Sequence, residues 1–138
     1  MKLKDLRDID TSIGLKKFES DEFELIWIDG FWDAPLSGML QMKEQLYWFE
    51  MIQENEAWEE GQWFRRHAIV QLTDEQLAKE MAVHKDFQRY VGTHWDLKQV
   101  EPPPKFIEGQ AQLFYDKHDT YIKSKSFEEN EVIGWMER

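Results

Sequence analysis

Four runs of aromatic and aliphatic residues, separated by turn-forming clusters, fill residues 22–72 and dictate most of what this chain can become. The first, residues 22–28, reads Glu-Phe-Glu-Leu-Ile-Trp-Ile. Its first half alternates polar and apolar residues and its second half is apolar on both faces, the pattern of a centrally placed strand. Asp29-Gly30 is expected to end it. The second run, 39–42, and the third, 46–52, flank a tight turn at Lys43-Glu44-Gln45. The third is dense in aromatics (Tyr47, Trp48, Phe49), which suit a pleated, half-buried surface. The fourth, 63–72, places Phe64, Ala68, Val70 and Leu72 on one face with Arg66, and Arg65, His67, Ile69 and Gln71 on the other. Together the four runs predict an antiparallel meander.

The period changes at Thr73. Thr73 and Gln76 form a capping box, and Asp74 and Glu75 occupy a first turn where the helix dipole favours negative charge. The spacing predicts a helix over 74–91, with Leu77, Met81, His84 and Val91 on one face, Phe87 at its edge and Gly92 as the terminator. Residues 93–105 read as irregular, and Pro102-Pro103-Pro104 as a stiff extended connector. A second helix is expected over about 108–122, on the stripe Ala111, Phe114, Tyr115, His118, Tyr121 and Ile122. A hairpin across 117–119 is the competing reading. The apolar run 131–136 reads as a last strand rejoining the sheet. Residues 1–20 are weakly patterned: Leu3, Leu6 and Ile9 have helical spacing, but Thr11, Ser12 and Gly14 break it, so a short helix or an arm is expected. The fold class is therefore α+β: a single domain over 1–138 with an antiparallel four- to five-stranded meander sheet and about two helices on one face.

A chain of 138 residues is long enough to bury a sizeable core without covalent staples. It has no cysteine, which excludes disulfides, thiolate metal sites and a cysteine nucleophile, and suits a reducing compartment. The first residues lack the apolar run of a signal peptide, and no segment has the length of a membrane span, so a cytoplasmic location is expected. The formal charge of −11 speaks against nucleic acid and anionic membranes as partners, and suits a basic protein partner.

The segment Trp27-Ile28-Asp29-Gly30-Phe31-Trp32-Asp33-Ala34-Pro35-Leu36-Ser37-Gly38, followed by a strand, a turn and an aromatic strand, resembles a group of small, mostly uncharacterised acidic bacterial α+β proteins. In these an aromatic strand runs into an Asp-Gly-Pro-x-Ser-Gly turn. The resemblance covers roughly residues 22–52, and Ala34 stands where that turn would carry glycine. It implies the hairpin and no known activity. By type alone, the chain is also similar to the immunity proteins that neutralise bacterial toxins.

No phosphate loop, G-x-S-x-G or H-E-x-x-H is present, so catalysis would fall to the four histidines. His94-Trp95-Asp96 offers an imidazole and a carboxylate that suit a divalent cation, but no third ligand accompanies them. The alternative places Asp96 as a turn acceptor and Trp95 on the sheet. His84 and His118 lie on apolar helix faces, where a core histidine with one hydrogen bond is the usual outcome. They could also face each other across a helix pair. Arg65, Arg66 and His67 form the basic cluster of the sheet, with Glu56, Glu59 and Glu60 as the expected internal partners. Trp32 with Asp33, and Trp58 with Glu59, have the composition of a sugar platform beside paired carboxylates, without its geometry. No cofactor is expected.

Several of the seven tryptophans sit among carboxylates. Residues 29–38 and 54–62 read as loops, the first of about ten residues, a length that is often functional. They join successive strand pairs of the meander and should project from one edge. That would gather Phe31, Trp32, Asp33, Glu56, Trp58, Glu59, Glu60 and Trp63 into one patch, with aromatic anchors and an acidic rim. The expected function is a protein-binding module, of inhibitor or immunity type, for a basic partner. The alternative is a small enzyme, or a sugar- or metal-binding domain, with a pocket between sheet and helices and His94 and Asp96 as first suspects.

Overall fold

In the computed structural model, which describes residues 1–6, 14–57 and 62–138 (the side chains of 55–57 and 62–64 excepted), five strands form one antiparallel sheet in chain order. They are β1 (Glu24–Phe31), β2 (Pro35–Met42), β3 (Gln45–Ala57), β4 (Gln62–Val70) and β5 (Val132–Glu137). Helices α1 (Asp74–Tyr90) and α2 (Ala111–Ser124) are inserted between β4 and β5, which nevertheless pair. The α+β class and the meander are as the pattern of apolar runs requires. Residues 117–119 lie inside α2, which excludes the competing hairpin.

Two expected loops are mostly strand. β1 continues through Asp29-Gly30 to Phe31, with register shifts after Leu25, Ile28 and Gly30 that absorb the glycine as irregularities in the ladder. β2 starts at Pro35, so only residues 32–34 join the two. β3 runs on to Ala57 because its acidic end faces basic residues: Glu54 pairs with Arg65, and Gln53 with Arg66. Opposite charges on facing strands support pairing where β-propensity alone would not. The turn at Lys43-Glu44 is tighter than expected, with φ of 51° and 65°, the doubly positive geometry that matches strand twist.

Both sheet edges are covered by irregular chain. Along β1, Ile28 N donates to Trp95 O (3.0 Å) and Leu97 N to Ile26 O (2.8 Å). Along β5, Phe18 N donates to Trp135 O (2.8 Å) and Trp135 N to Lys16 O (2.9 Å). Unpaired edges template aggregation, and these segments occupy them. Residues 1–6 are docked rather than an arm, while residues 7–13, which include Ile9, Thr11 and Ser12 of that reading, lie outside the described residues. Leu3–Asp5 form a single 3-10 turn, Leu3 and Leu6 are fully buried, and Leu3 N donates to Asn130 O (3.0 Å).

Each sheet face carries a core. One joins Trp27, Met39, Trp48, Ala68 and Val70 to Leu3, Leu6 and Phe127, with Leu77 and Met81 of α1 packed on it. The other joins Ile28, Leu40, Phe49, Ile69 and Met136 to Phe18, with Phe23 and Trp95 against it. The capping box forms as expected, with Gln76 N donating to Thr73 Oγ1 (3.1 Å) and Thr73 N to Gln76 Oε1 (2.9 Å). The deepest stripe of α1 is not the apolar one, however. It holds Glu80, Val83 and Asp86, because α2 packs there and supplies partners for both carboxylates. Asp86 accepts from His118 Nε2 (2.8 Å) and Lys117 Nζ (2.9 Å), and Glu80 from Tyr121 Oη (2.6 Å) and Lys125 Nζ (3.3 Å). Phe87 meets Phe114 edge to face at 5.3 Å between them.

Candidate functional site

The β1–β2 tip is built from behind by β4. Pairing of β2 with β3 begins at Ser37 with Glu50, so the chain at Pro35 meets β4 side chains instead. Arg65, 2% exposed, donates to Trp32 O (2.5 Å) and Ala34 O (2.8 Å), and His67, 1% exposed, donates from Nε2 to Pro35 O (2.9 Å). Trp32 N also donates to Ala34 O (3.0 Å). Asp33 takes the turn's positive φ of 61°, a conformation that aspartate tolerates better than most residues. Burial pushes the His67 imidazole down to about 4, so it is neutral here. The tip carbonyls are thus held by a buried cation and a buried neutral donor. Its side chains point outward: Trp32 is 72% exposed, Phe31 49%, and Asp33 is exposed. Phe31 leans on Trp95, ring centroids 5.4 Å apart.

Among the described residues the basic cluster is paired internally; the side chains of Glu56, Glu59 and Glu60, its expected partners, lie outside them. Arg65 Nε lies 3.4 Å from Glu54, and Arg66 lies 3.3 Å from Glu137 and 4.0 Å over the Trp135 ring. Of the remaining patch residues, Glu56 lies in β3 rather than in a loop, and it faces Trp63 in β4, where the strand was expected. Trp58, Glu59 and Glu60 lie outside the described residues. Ala57 and Gln62, the strand ends that flank them, lie at the same end of the meander as residues 32–34.

His94 and Asp96 do not form a unit. His94 is exposed, its ring 5.6 Å from Phe87 and from Trp95. Asp96 turns the other way. Its carboxylate accepts from His84 Nε2 (2.6 Å) and Gln88 Nε2 (2.7 Å), so it anchors the β1 edge segment to α1 rather than serving a turn. Among the described residues, no group of three His, Cys, Asp or Glu side chains could hold a metal ion. His84 and His118 do not face each other either. Each bonds its own aspartate, Asp96 and Asp86, because α1 and the following segment place those carboxylates first.

A cavity of about 250 Å³ opens between β1, α1 and α2. Trp27, Phe87, Trp95, Phe114 and Tyr115 wall it, and Asp29, Glu80 and His84 are its ionisable lining. Burial lowers the His84 imidazole below its ordinary range against the opposing pull of Asp96 and Asp29. Lys125 reaches from the end of α2 to Asp29 (3.2 Å) and Glu80 (3.2 Å) and stands 4.6 Å over the Trp48 ring. Sequence reasoning set Asp29 in a loop and did not single out Glu80. The available signal was the stripe Glu80, Val83, His84, Phe87, which has helical spacing and carries a charge where an apolar face would not. Among the described residues no helix is long and apolar enough to cross a membrane. No protein-family model, no curated protein and no solved structure matches the chain.

Proposed function

We propose that this protein is an acidic binding module that engages a basic protein partner through the β1–β2 tip, in the manner of an inhibitor or immunity protein. The observation that carries the reading is the contrast at the tip: Trp32 is 72% exposed, yet its own carbonyl is bonded to the buried Arg65. A large aromatic side chain on a pre-set backbone loses little freedom on binding, which is the property of an interface anchor. Phe31 extends the apolar surface and Asp33 supplies charge beside it. Glu56, Trp58, Glu59, Glu60 and Trp63 follow in the proposal as the neighbouring rim and second anchor. The net charge of −11 favours fast association with a basic surface.

The test is capture of partners by the tagged protein from the cytosol of its source cells, followed by kinetics with the purified partner. A stoichiometric basic partner is expected, with an association rate that falls as salt rises. Trp32→Ala should weaken its affinity by roughly 30-fold or more, the scale of an interface hot spot. Wild-type affinity in Trp32→Ala and Asp33→Lys would dismiss the tip as the binding surface, and the absence of any partner would dismiss the module.

A further inference from the structure

The cavity between β1, α1 and α2 has a chemistry of its own, remote from a requirement for any protein partner. We infer that it is a binding site for a small organic cation with a flat apolar body, an arylalkylammonium in the simplest case. Its walls are aromatic rings from four parts of the chain: Trp27 on β1, Trp95 on the edge segment, Phe87 on α1 and Phe114 on α2. Such a wall accepts a flat apolar body and, through its ring faces, a cation. At about 250 Å³ the space lies just under the range of drug-sized sites, so the ligand is small. Tyr115 and Ile122, 44% and 37% exposed, form its rim on α2 and leave a way in.

Charge selects the ligand class. Among the described residues no lysine or arginine lines the cavity; Asp29 and Glu80 do. Lys125 serves both carboxylates with one ammonium, leaving the group one negative charge in excess. Glu80 is fully occupied by Tyr121 and Lys125. Asp29 is not: Lys125 takes Oδ2, while Oδ1 has no donor among the described residues. Asp29 is also the more exposed of the two, at 37% for its side chain. An ammonium entering from the rim would find that oxygen, with the aromatic walls around its body. An anion would meet uncompensated negative charge, and a neutral isostere would strip water from Asp29 without replacing its electrostatic interaction.

The experiment is a titration of the intact protein with 2-phenylethylammonium, 2-phenylethanol and 3-phenylpropionate, read from the indole N–H signals of Trp27 and Trp95 in nitrogen-15 spectra. The ammonium should shift these signals saturably and bind at least about tenfold tighter than the alcohol, with the carboxylate weakest. Asp29→Asn should remove most of that preference, and Ile122→Trp, a rim change on an exposed position, should block all three probes while the spectrum stays folded. Equal binding of alcohol and ammonium, or an Asp29→Asn variant that keeps the preference, overturns the cation assignment. No saturable shift with millimolar ammonium overturns the site itself. None of these outcomes depends on Trp32, so this inference and the tip reading stand or fall separately.

Discussion

His84 lies flat against Trp27, their ring centroids 3.9 Å apart and their planes 5° from parallel. The stack joins α1 to β1 at the point where Asp96 closes the β1 edge. His84 Nε2 carries the proton it donates to Asp96, and Gln88 fills the second carboxylate oxygen. Three elements that are separate in sequence are therefore held by one aspartate.

Asp96→Ala should be costly for that reason. It removes the acceptor of two side chains and leaves their donors partly buried, a loss on the order of 2 kcal/mol. Urea unfolding of the variant measures it. A loss below a few tenths of a kcal/mol would show that the bonds of Asp96 to His84 and Gln88 contribute nothing to the native state.

Glu80→Ala should be worse. Glu80 is 2% exposed, and its removal leaves Tyr121 Oη and Lys125 Nζ without their shared acceptor. Breaking a buried pair from one side costs roughly 3–5 kcal/mol. A double-mutant cycle with Tyr121→Phe should show coupling of about 1–3 kcal/mol, since the two groups touch.

Acid should unfold the protein in two windows. His67 titrates at about 4 folded against 6.5 in its ordinary state, because burial penalises the cation. Its contribution is complete above 6.5 and is lost as pH falls toward 4, on the order of 3 kcal/mol in total. Burial alone would raise the Asp86 carboxyl, but bonds from His118 and Lys117 together hold it below its ordinary 3.8, so its contribution fades only below that pH. His67→Gln keeps the donor to Pro35 O and removes the titration. Its stability should fall less steeply than wild type between pH 6.5 and 4, and parallel curves would contradict the assignment.

Gly38→Ala should disrupt the sheet. A Cβ at that position would collide with Trp27 O and approach Phe49 Cζ to 2.8 Å. Both neighbours are core, so neither yields easily, and overpacking of this kind costs about 1–3 kcal/mol or more. Thermal unfolding should show a clearly lowered midpoint. By contrast, Trp32→Ala, at an exposed position, should change stability by less than about 0.5 kcal/mol, which separates its effect on binding from any effect on folding.

The elements themselves were legible in the chain. Alternation marked the strands, the Thr73-Gln76 box marked the start of α1, and the apolar run near the end marked β5. The strand ends were not. Asp29-Gly30 looks like a terminator and Glu54-Asn55-Glu56 like a solvated loop until their partners are known. The glycine is absorbed by ladder irregularities against β2, and Glu54 faces Arg65. Both facts belong to pairing, which local composition does not encode.

The candidate sites divide in the same way. The exposed Phe31-Trp32-Asp33 tip was visible as an aromatic and acidic cluster at a break in the pattern. The cavity was visible only as an expectation of space between sheet and helices, with His94 and Asp96 as first suspects, neither of which lines it. His94 and Asp96 are neighbours in sequence but diverge in space, while Asp29, Glu80 and Lys125 are distant in sequence and converge.

Sequence by itself therefore determined the periodicities, the caps, the charge and hence the α+β meander, because each rests on residues within a turn or two of one another. Tertiary structure alone decided which buried charge meets which partner: Arg65 with the Trp32 and Ala34 carbonyls, Asp86 with His118, Glu80 with Tyr121 and Lys125. Buried polar groups must be satisfied wherever the packing leaves them, and that place is set by how whole elements dock.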